Sequence, residues 1–292
     1  MNSKFVRQNI FPVLAAFIWG TAFVAQSVAA DIVQPFTFNA SRAFVGFLFL
    51  LVLCAVLRIK EKPRYDRRYY RDLIIGGICC GIALTLATNL QQKGLETTTS
   101  GKAGFITALY IVLVPIFGLL LKKKAPRMIW LSVALAVVGL YFLSINEELS
   151  ITVGDLYMLV CAFCFTGHIL VIDHFTEKVS GVELSCMQFL VVALLSGGGM
   201  LLTESPSWSG IVACAGPILY VGIMSSGVAY TLQILAQKGS NPTVVSLLLS
   251  LEAVFATVSG AIILHEIMSG REILGCALML VAVVLAQLPG KK

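Results

Sequence analysis

Apolar positions run along the chain in ten stretches, near residues 9–30, 35–57, 72–92, 100–121, 127–145, 155–173, 182–202, 210–236, 243–264 and 272–288. An α-helix needs about 20 apolar residues to cross a hydrocarbon core of ~30 Å. The pattern therefore predicts ten spanning helices, an all-α membrane protein. Short links leave no room for an extramembrane domain. The longest polar link, Arg58 to Asp72, is the basic stretch RIKEKPRYDRRYYRD. Composition agrees with this reading: 58% of the 292 residues are hydrophobic, 12% are charged, and mean hydropathy is +0.91. A soluble domain carries about 25% charge, so a soluble fold is excluded.

One stretch breaks its own pattern. Asn241-Pro242-Thr243 is a helix-start signal with proline in the first turn, and an apolar run follows from Val244 to Leu264. Glu252 interrupts it near the middle. A carboxylate at that depth costs roughly 2.5–3.5 kcal/mol on insertion scales, so it faces protein or water and is a functional candidate.

Charge settles the expected orientation. With the N-terminus inside, seventeen Lys and Arg fall on the inner side, including Lys4, Arg7, seven between Arg58 and Arg71, Lys122, Lys123, Lys124, Arg127, Lys178, Lys238, Lys291 and Lys292. Only Lys93, Lys102 and Arg271 fall outside, and Arg42 is left within a helix. The positive-inside rule then places both termini in the cytoplasm, in the cell membrane. The net charge of +6 is a product of this loop asymmetry and calls for no nucleic acid. The eight cysteines sit within or beside apolar runs and read as small apolar packers rather than a disulfide framework. Lys4 and Arg7 ahead of the first run, with Val28-Ala29-Ala30 behind it, loosely fit a cleavable signal; the repeat described next requires this helix to stay.

Gln92-Lys93-Gly94 recurs as Gln237-Lys238-Gly239, 145 residues later, each time closing an apolar helix. Ala103 to Leu109 matches Val245 to Leu251 at a spacing of 142, while Trp19-Gly20 falls opposite Phe165-Thr166, and Arg42 opposite Gln188, at 146. Each half, 1–146 and 147–292, then holds five helices. An odd number forces the halves to insert in opposite senses, an inverted repeat, which in transporters places the substrate near the midplane at the repeat interface.

Several motifs carry a family resemblance: Trp19-Gly20-Thr21-Ala22-Phe23; Gly101-Lys102-Ala103-Gly104-Phe105 with Leu109-Tyr110 and Pro115; Ser250-Leu251-Glu252-Ala253-Val254-Phe255-Ala256; and Glu266. Together with ten helices and the repeat, they resemble the drug/metabolite transporter superfamily, specifically its ten-helix EamA-type branch. The resemblance implies a central cavity walled by helices 1, 3, 4, 6, 8 and 9, with 5 and 10 peripheral, and alternating access without ATP. Its substrates span amino acids, nucleotide sugars and other metabolites. Members usually carry proline after the glutamate, and Ala253 stands there instead, which removes the residue that would kink the ninth helix.

The candidate site residues are polar side chains placed where lipid would reject them. Tyr230, Gln233 and Gln237 share one face of the eighth helix, and Thr85, Thr88 and Gln92, with Asn89 beside them, share one face of the third. Such stripes either line a pathway or hydrogen-bond between helices. Trp19, Phe23 and Gln26 share a face of the first helix, and the depth of Trp19 argues for cavity over interfacial anchor. Tyr110, opposite Glu252 in the repeat, is cavity wall or core. His168 shares a face with Cys161 and Cys164, but three ligands on one straight helix cannot surround an ion tetrahedrally, so a cavity-lining or hydrogen-bonded histidine is expected and no metal. Arg42 has three readings: it snorkels outward, draws an anionic substrate, or pairs with an acid. Glu252 is a proton carrier, a ligand for a substrate amine, or a neutral acid bonded to a neighbouring hydroxyl. Gly76, Gly77, Gly197, Gly198, Gly199 and Gly216-Pro217 read as packing points or hinges.

The function expected is a secondary active transporter, exporting small polar metabolites such as amino acids by alternating access, with proton coupling through Glu252. The rivals are an intramembrane enzyme, which no HExxH, GxSxG or paired-carboxylate motif supports, and a passive channel. A small-molecule substrate and the lipid bilayer are the partners expected, no cofactor is implied, and a homodimer is left open.

Overall fold

A computed structural model describes residues 3–61, 65–98, 100–122, 126–144, 152–263 and 268–287. Lys62, Arg64, Lys123, Lys124, Glu266, Lys291 and Lys292 lie outside them, as does the boundary between the two halves. The described residues are helical, with no strand. Ten helices follow the ten apolar stretches: α1 (Val6–Ala30), α2 (Pro35–Glu61), α3 (Arg67–Gly94), α4 (Ser100–Ala108 continued by Tyr110–Leu120), α5 (Arg127–Ser144), α6 (Val153–Phe175), α7 (Gly181–Thr203), α8 (Ala215–Gln237), α9 (Pro242–Leu249 continued by Glu252–Ile263) and α10 (Gly270–Gln287). Among the described residues nine are long and apolar enough to span a membrane, and α5 is a shorter apolar helix. A short helix, Trp208–Ala213, precedes α8.

Local chemistry sets the helix starts. Asp66 caps α3 by accepting from Tyr69 N at 2.8 Å, and Thr152 and Asp155 form a capping box on α6. The Asn241 side chain accepts from Thr243 N at 2.9 Å ahead of Pro242, as the start signal predicts. Gly239 ends α8 at φ 68°, a conformation glycine reaches without steric cost.

Hydrogen bonds between loops fix which ends lie together. Arg7 and Gln8 donate to Lys238 O and Gly239 O at 3.3 and 2.8 Å, and Ser180 N donates to Tyr69 Oη at 3.0 Å. At the opposite face Phe36 N donates to Glu204 at 2.8 Å, and the Thr98 and Thr152 hydroxyls meet at 3.2 Å. α1 and α8 therefore run antiparallel, as do α2 and α7, whereas α3 and α7 start from the same face.

The contacts repeat as the sequence does. α3 packs on α6 and α7 as α8 packs on α1 and α2; α4 meets α6 as α9 meets α1; α2 pairs with α7, α4 with α9 and α5 with α10. This is the contact pattern of two inverted five-helix repeats. Small residues permit the close crossings: a Cβ on Gly20 would stand 2.5 Å from Phe255 Cβ and 2.7 Å from Ala256 N, and one on Gly275 2.7 Å from Gly139 O. Of the glycines expected to pack or hinge, Gly76 and Gly77 meet Phe175 and Met187, and Gly199 meets Phe36, whereas Gly197, Gly198 and Gly216 have nothing within 4 Å of a built Cβ.

Two local departures matter for the site. α4 is interrupted at Leu109 and α9 at Ser250–Leu251, and Leu109 and Leu251 are equivalent at the spacing of 142. The substitution of Ala253 for proline thus does not keep α9 continuous. Both breaks run through tighter three-residue turns, Val112 N to Leu109 O at 2.9 Å and Ala253 N to Ser250 O at 3.2 Å. The hydroxyls of Ser246 and Ser250 also bond backward to Thr243 O and Leu247 O at 2.9 and 2.8 Å, competing with the regular ladder. In α8, Val221–Ala229 forms a π-helical segment, a wider winding often found at functional sites.

Candidate functional site

The two breaks face each other. Tyr110 and Glu252 are the first residues after them, and Tyr110 Oη donates to Glu252 Oε1 at 3.1 Å. The acid is buried, 7% exposed, yet it lines a cavity rather than solid core. That cavity has a volume of about 40 Å³. About 10–15 Å³ of such space holds one water, so the chamber is constricted here to a few waters.

Its walls come from α1 (Trp19, Phe23, Gln26), α2 (Arg42), α3 (Gln91), α4 (Thr107, Tyr110), α6 (Phe165, Ile169), α8 (Ser225, Tyr230, Gln233) and α9 (Leu249, Glu252). Four pairs are repeat equivalents: Trp19 with Phe165, Phe23 with Ile169, Thr107 with Leu249, and Tyr110 with Glu252. The symmetric part is mostly aromatic or apolar. Charge is asymmetric, because Arg42 has Gln188 as its equivalent and Glu252 has Tyr110. Neither α5 nor α10 contributes, whereas α2 does, through Arg42.

The Trp19 and Tyr230 rings lie 4.8 Å apart and form one wall. Trp19 Nε1 and Gln233 Oε1 are buried with no hydrogen-bond partner. Unpaired polar atoms of this kind are rare in a folded interior and ask for a ligand or water.

Seven expected residues thus meet at one chamber: Trp19, Gln26, Arg42, Tyr110, Tyr230, Gln233 and Glu252. The structure places the other four elsewhere. Gln92 points away and donates to Gln26 O at 3.3 Å, while Gln91, one residue earlier, reaches the wall. Gln237 donates to Ile169 O at 2.9 Å. His168 is fully buried and bonded to Gln188 at 3.0 Å, which makes it hydrogen-bonded and not cavity-lining. Asn89 lines a separate lateral pocket with Lys93, Glu96 and Glu204 and donates to Ser196 Oγ at 2.9 Å. In α3 the hydroxyls of Thr85 and Thr88 bond to Gly81 O and Leu84 O of their own helix at 2.7 and 2.9 Å. Its stripe is interhelical and local glue, and only the α8 stripe opens on the cavity. Among the described residues no group of His, Cys, Asp or Glu could hold a metal ion.

Missed by sequence reasoning were Gln91, Thr107, Phe165, Ile169, Ser225 and Leu249. Phe165 and Ile169 carried a usable signal, since they are the repeat partners of Trp19 and Phe23, whereas Thr107 and Leu249 pair only with each other.

Paired inverted repeats around a constricted chamber between them are the architecture of a membrane transporter. The EamA-like transporter family matches residues 7–145 and again 152–288, once per half, and the chain belongs to that family. An uncharacterized transporter of Archaeoglobus fulgidus is 32% identical over 94% of this chain and 84% of its own length. The uncharacterized transporter YwfM of Bacillus subtilis is 24% identical over 97% and 95%. A chloroplastic WAT1-related protein of Arabidopsis thaliana is 26% identical over 94% and 67%. A solved crystal structure shares the fold with a TM-score of 0.81, at 16% identity and 97% coverage of both chains.

Proposed function

We propose that this chain is a secondary active transporter that exports small polar metabolites, such as amino acids, by alternating access, with Glu252 as the titrating group of the transport path. The observation that carries the reading is the Tyr110–Glu252 contact. It joins the two helix breaks at a chamber bounded by both repeats, where interrupted helices offer polar groups to a substrate. Among the described residues no other acid lines that chamber. A carboxyl group held away from water gains or loses a proton according to what enters beside it, which is the property a coupling residue needs. The constriction supports alternating access over a standing pore.

Both termini are proposed to face the cytoplasm of a cell membrane. Supporting this, Arg7, Arg58, Lys60, Arg67, Arg68, Arg71, Lys122, Arg127, Lys178 and Lys238 fall at one end of the bundle, against Lys93 and Arg271 at the other.

The test is a metabolite-export screen in cells lacking and overproducing the chain, followed by uptake of the exported compound into proteoliposomes with and without an imposed pH gradient. Wild type should accumulate it only with the gradient. Glu252→Gln keeps shape and hydrogen bonding but cannot exchange a proton; it should lose accumulation and keep equilibrating exchange. Gradient-driven accumulation surviving in that variant removes Glu252 from the coupling step. Movement of the compound in the opposite sense removes export.

A further inference from the structure

Arg42 is 5% exposed and sits in the wall of the central chamber. Two of its three sequence readings fail on geometry. A buried side chain lining an internal cavity is not snorkelling to the interface. No acid among the described residues comes within 4.0 Å of it, so it is not half of an ion pair. Glu252 lines the same chamber but bonds Tyr110 instead.

What Arg42 does have is a rigid mount. Its Nε donates to Asn39 Oδ1 at 2.7 Å. Asn39 is in turn held by donating to Thr88 O and Asn89 Oδ1 at 3.1 and 3.0 Å. Phe38 lies 5.7 Å beneath the guanidinium carbon. The two terminal nitrogens have no hydrogen-bond partner among the described residues. A guanidinium anchored through Nε leaves a planar fork that fits an oxyanion. An isolated buried cation is expensive, and Asn39 contributes only a dipole to offset it.

We infer that Arg42 is the anion anchor of the chamber and that the transported molecule carries a carboxylate, bound by the terminal nitrogens of Arg42 with its apolar body against Trp19 and Tyr230 in the conformer where the chamber widens to admit it. Among the described residues one guanidinium is the only cation in the wall, and Glu252 shares the space. A single negative charge therefore matches the chamber, and a dianionic phosphate ester does not. The tilted Trp19–Tyr230 pair supplies an angled aromatic surface, and the unpaired Trp19 Nε1 and Gln233 Oε1 remain for polar substituents. This inference rests on the transporter reading for its meaning, but binding is measured without any gradient or flux.

The experiment is a thermal-melting titration of the purified full chain in detergent with butanoate, hexanoate and benzoate, with butylamine and benzylamine, and with phenyl phosphate, all at matched ionic strength. At least one carboxylate should raise the melting temperature saturably, and neither amine should. Arg42→Gln should weaken that carboxylate at least tenfold, and Arg42→Lys, which keeps the charge without the fork, should restore part of the loss. If Arg42→Gln does not fold, Arg42→Lys alone serves: it keeps the buried charge and loses the fork, so the carboxylate shift should weaken severalfold against the parent. No saturable shift with any carboxylate overturns the inference. So does a shift that survives undiminished in Arg42→Gln, or in Arg42→Lys where Arg42→Gln does not fold, an equal response to the amines, or preference for phenyl phosphate. A carboxylate shift in a protein that shows no gradient-driven uptake would leave the anchor standing and remove the coupling mechanism. Proton-coupled uptake without any such shift would do the reverse.

Discussion

At the scale of single residues, the site is defined by which polar groups are satisfied and which are not. Glu252 and Tyr110 satisfy each other across the two repeats, so their energies should be coupled. Interhelical hydrogen bonds in membranes average about 0.6 kcal/mol and reach about 1.7. A double-mutant cycle of Tyr110→Phe and Glu252→Met, read by thermal unfolding in detergent, should return a coupling in that range, with the second change costing little once the first is made. A coupling of zero would mean that the 3.1 Å contact holds nothing together. The sequence made these two residues legible as repeat equivalents and marked Glu252 by its depth. It pointed to Gln92, whereas Gln91 is the one that reaches the wall. Both are polar and adjacent, and the face α3 shows the chamber is set by tertiary packing, where Gly77 and Gly81 seat against Met187 and Val191 of α7. Arg42 posed the same difficulty, because its three readings differ only in what stands across from it.

At the scale of elements, the ten apolar runs mapped onto ten helices because hydrocarbon thickness fixes their length. The breaks in α4 and α9 were not foreseen, since neither Leu109 nor Leu251 is a helix breaker and the proline that might have signalled one is Ala253. The repeat offset of 142 across Ala103–Leu109 and Val245–Leu251 was the available clue, as it aligned the two breaks. The π-helical turn of α8 left no mark in the apolar pattern. Glycines were easier to find than to interpret. Gly20 admits α9 to backbone contact, so Gly20→Val should force α1 from α9. We expect a loss of folded protein from the membrane, or a melting temperature lower by several degrees, consistent with overpacking costs of about 1–3 kcal/mol. Gly167 has nothing within 4 Å of a built Cβ, and Gly167→Ala should be neutral or stabilising by up to about 1 kcal/mol through helix propensity. Equal damage from both changes would show that glycine content, rather than the α1–α9 crossing, is what the fold requires.

At the scale of the whole molecule, the repeat places unlike chemistry at like positions, and the two faces differ as a result. α2 and α7 are tied at both ends. At one face Arg58 Nε bonds Glu183 at 2.7 Å, helped by Tyr69 Oη at 2.7 Å. At the other, Glu204 accepts from Phe36 N at 2.8 Å and from Thr37 N and Oγ1 at 2.7 Å each. A spacing of 146 carries Thr37 onto Glu183 and Arg58 onto Glu204, so these are one contact written twice with different residues. They are not of equal strength. The Arg58 side chain is 45% exposed, and ion pairs open to solvent are worth about 0–1 kcal/mol. Glu204 takes three hydrogen bonds at a helix N-terminus, where charge-assisted bonds run about 1.5–3 kcal/mol and the helix dipole favours an anion. The Glu204 end should therefore be the harder one to open. Take Ser225→Cys as a reporter in the chamber, in a background with the eight native cysteines replaced, and probe it with an impermeant thiol reagent in vesicles of each orientation. Labelling should be faster from the Arg58 face in the parent. Arg58→Met should increase it from that face, whereas Glu204→Ala should raise it from the opposite face. If Glu204→Ala leaves both rates unchanged, the tie caps α2 without closing the chamber, and the asymmetry of the two faces must arise from α4 and α9, where the helices themselves are broken.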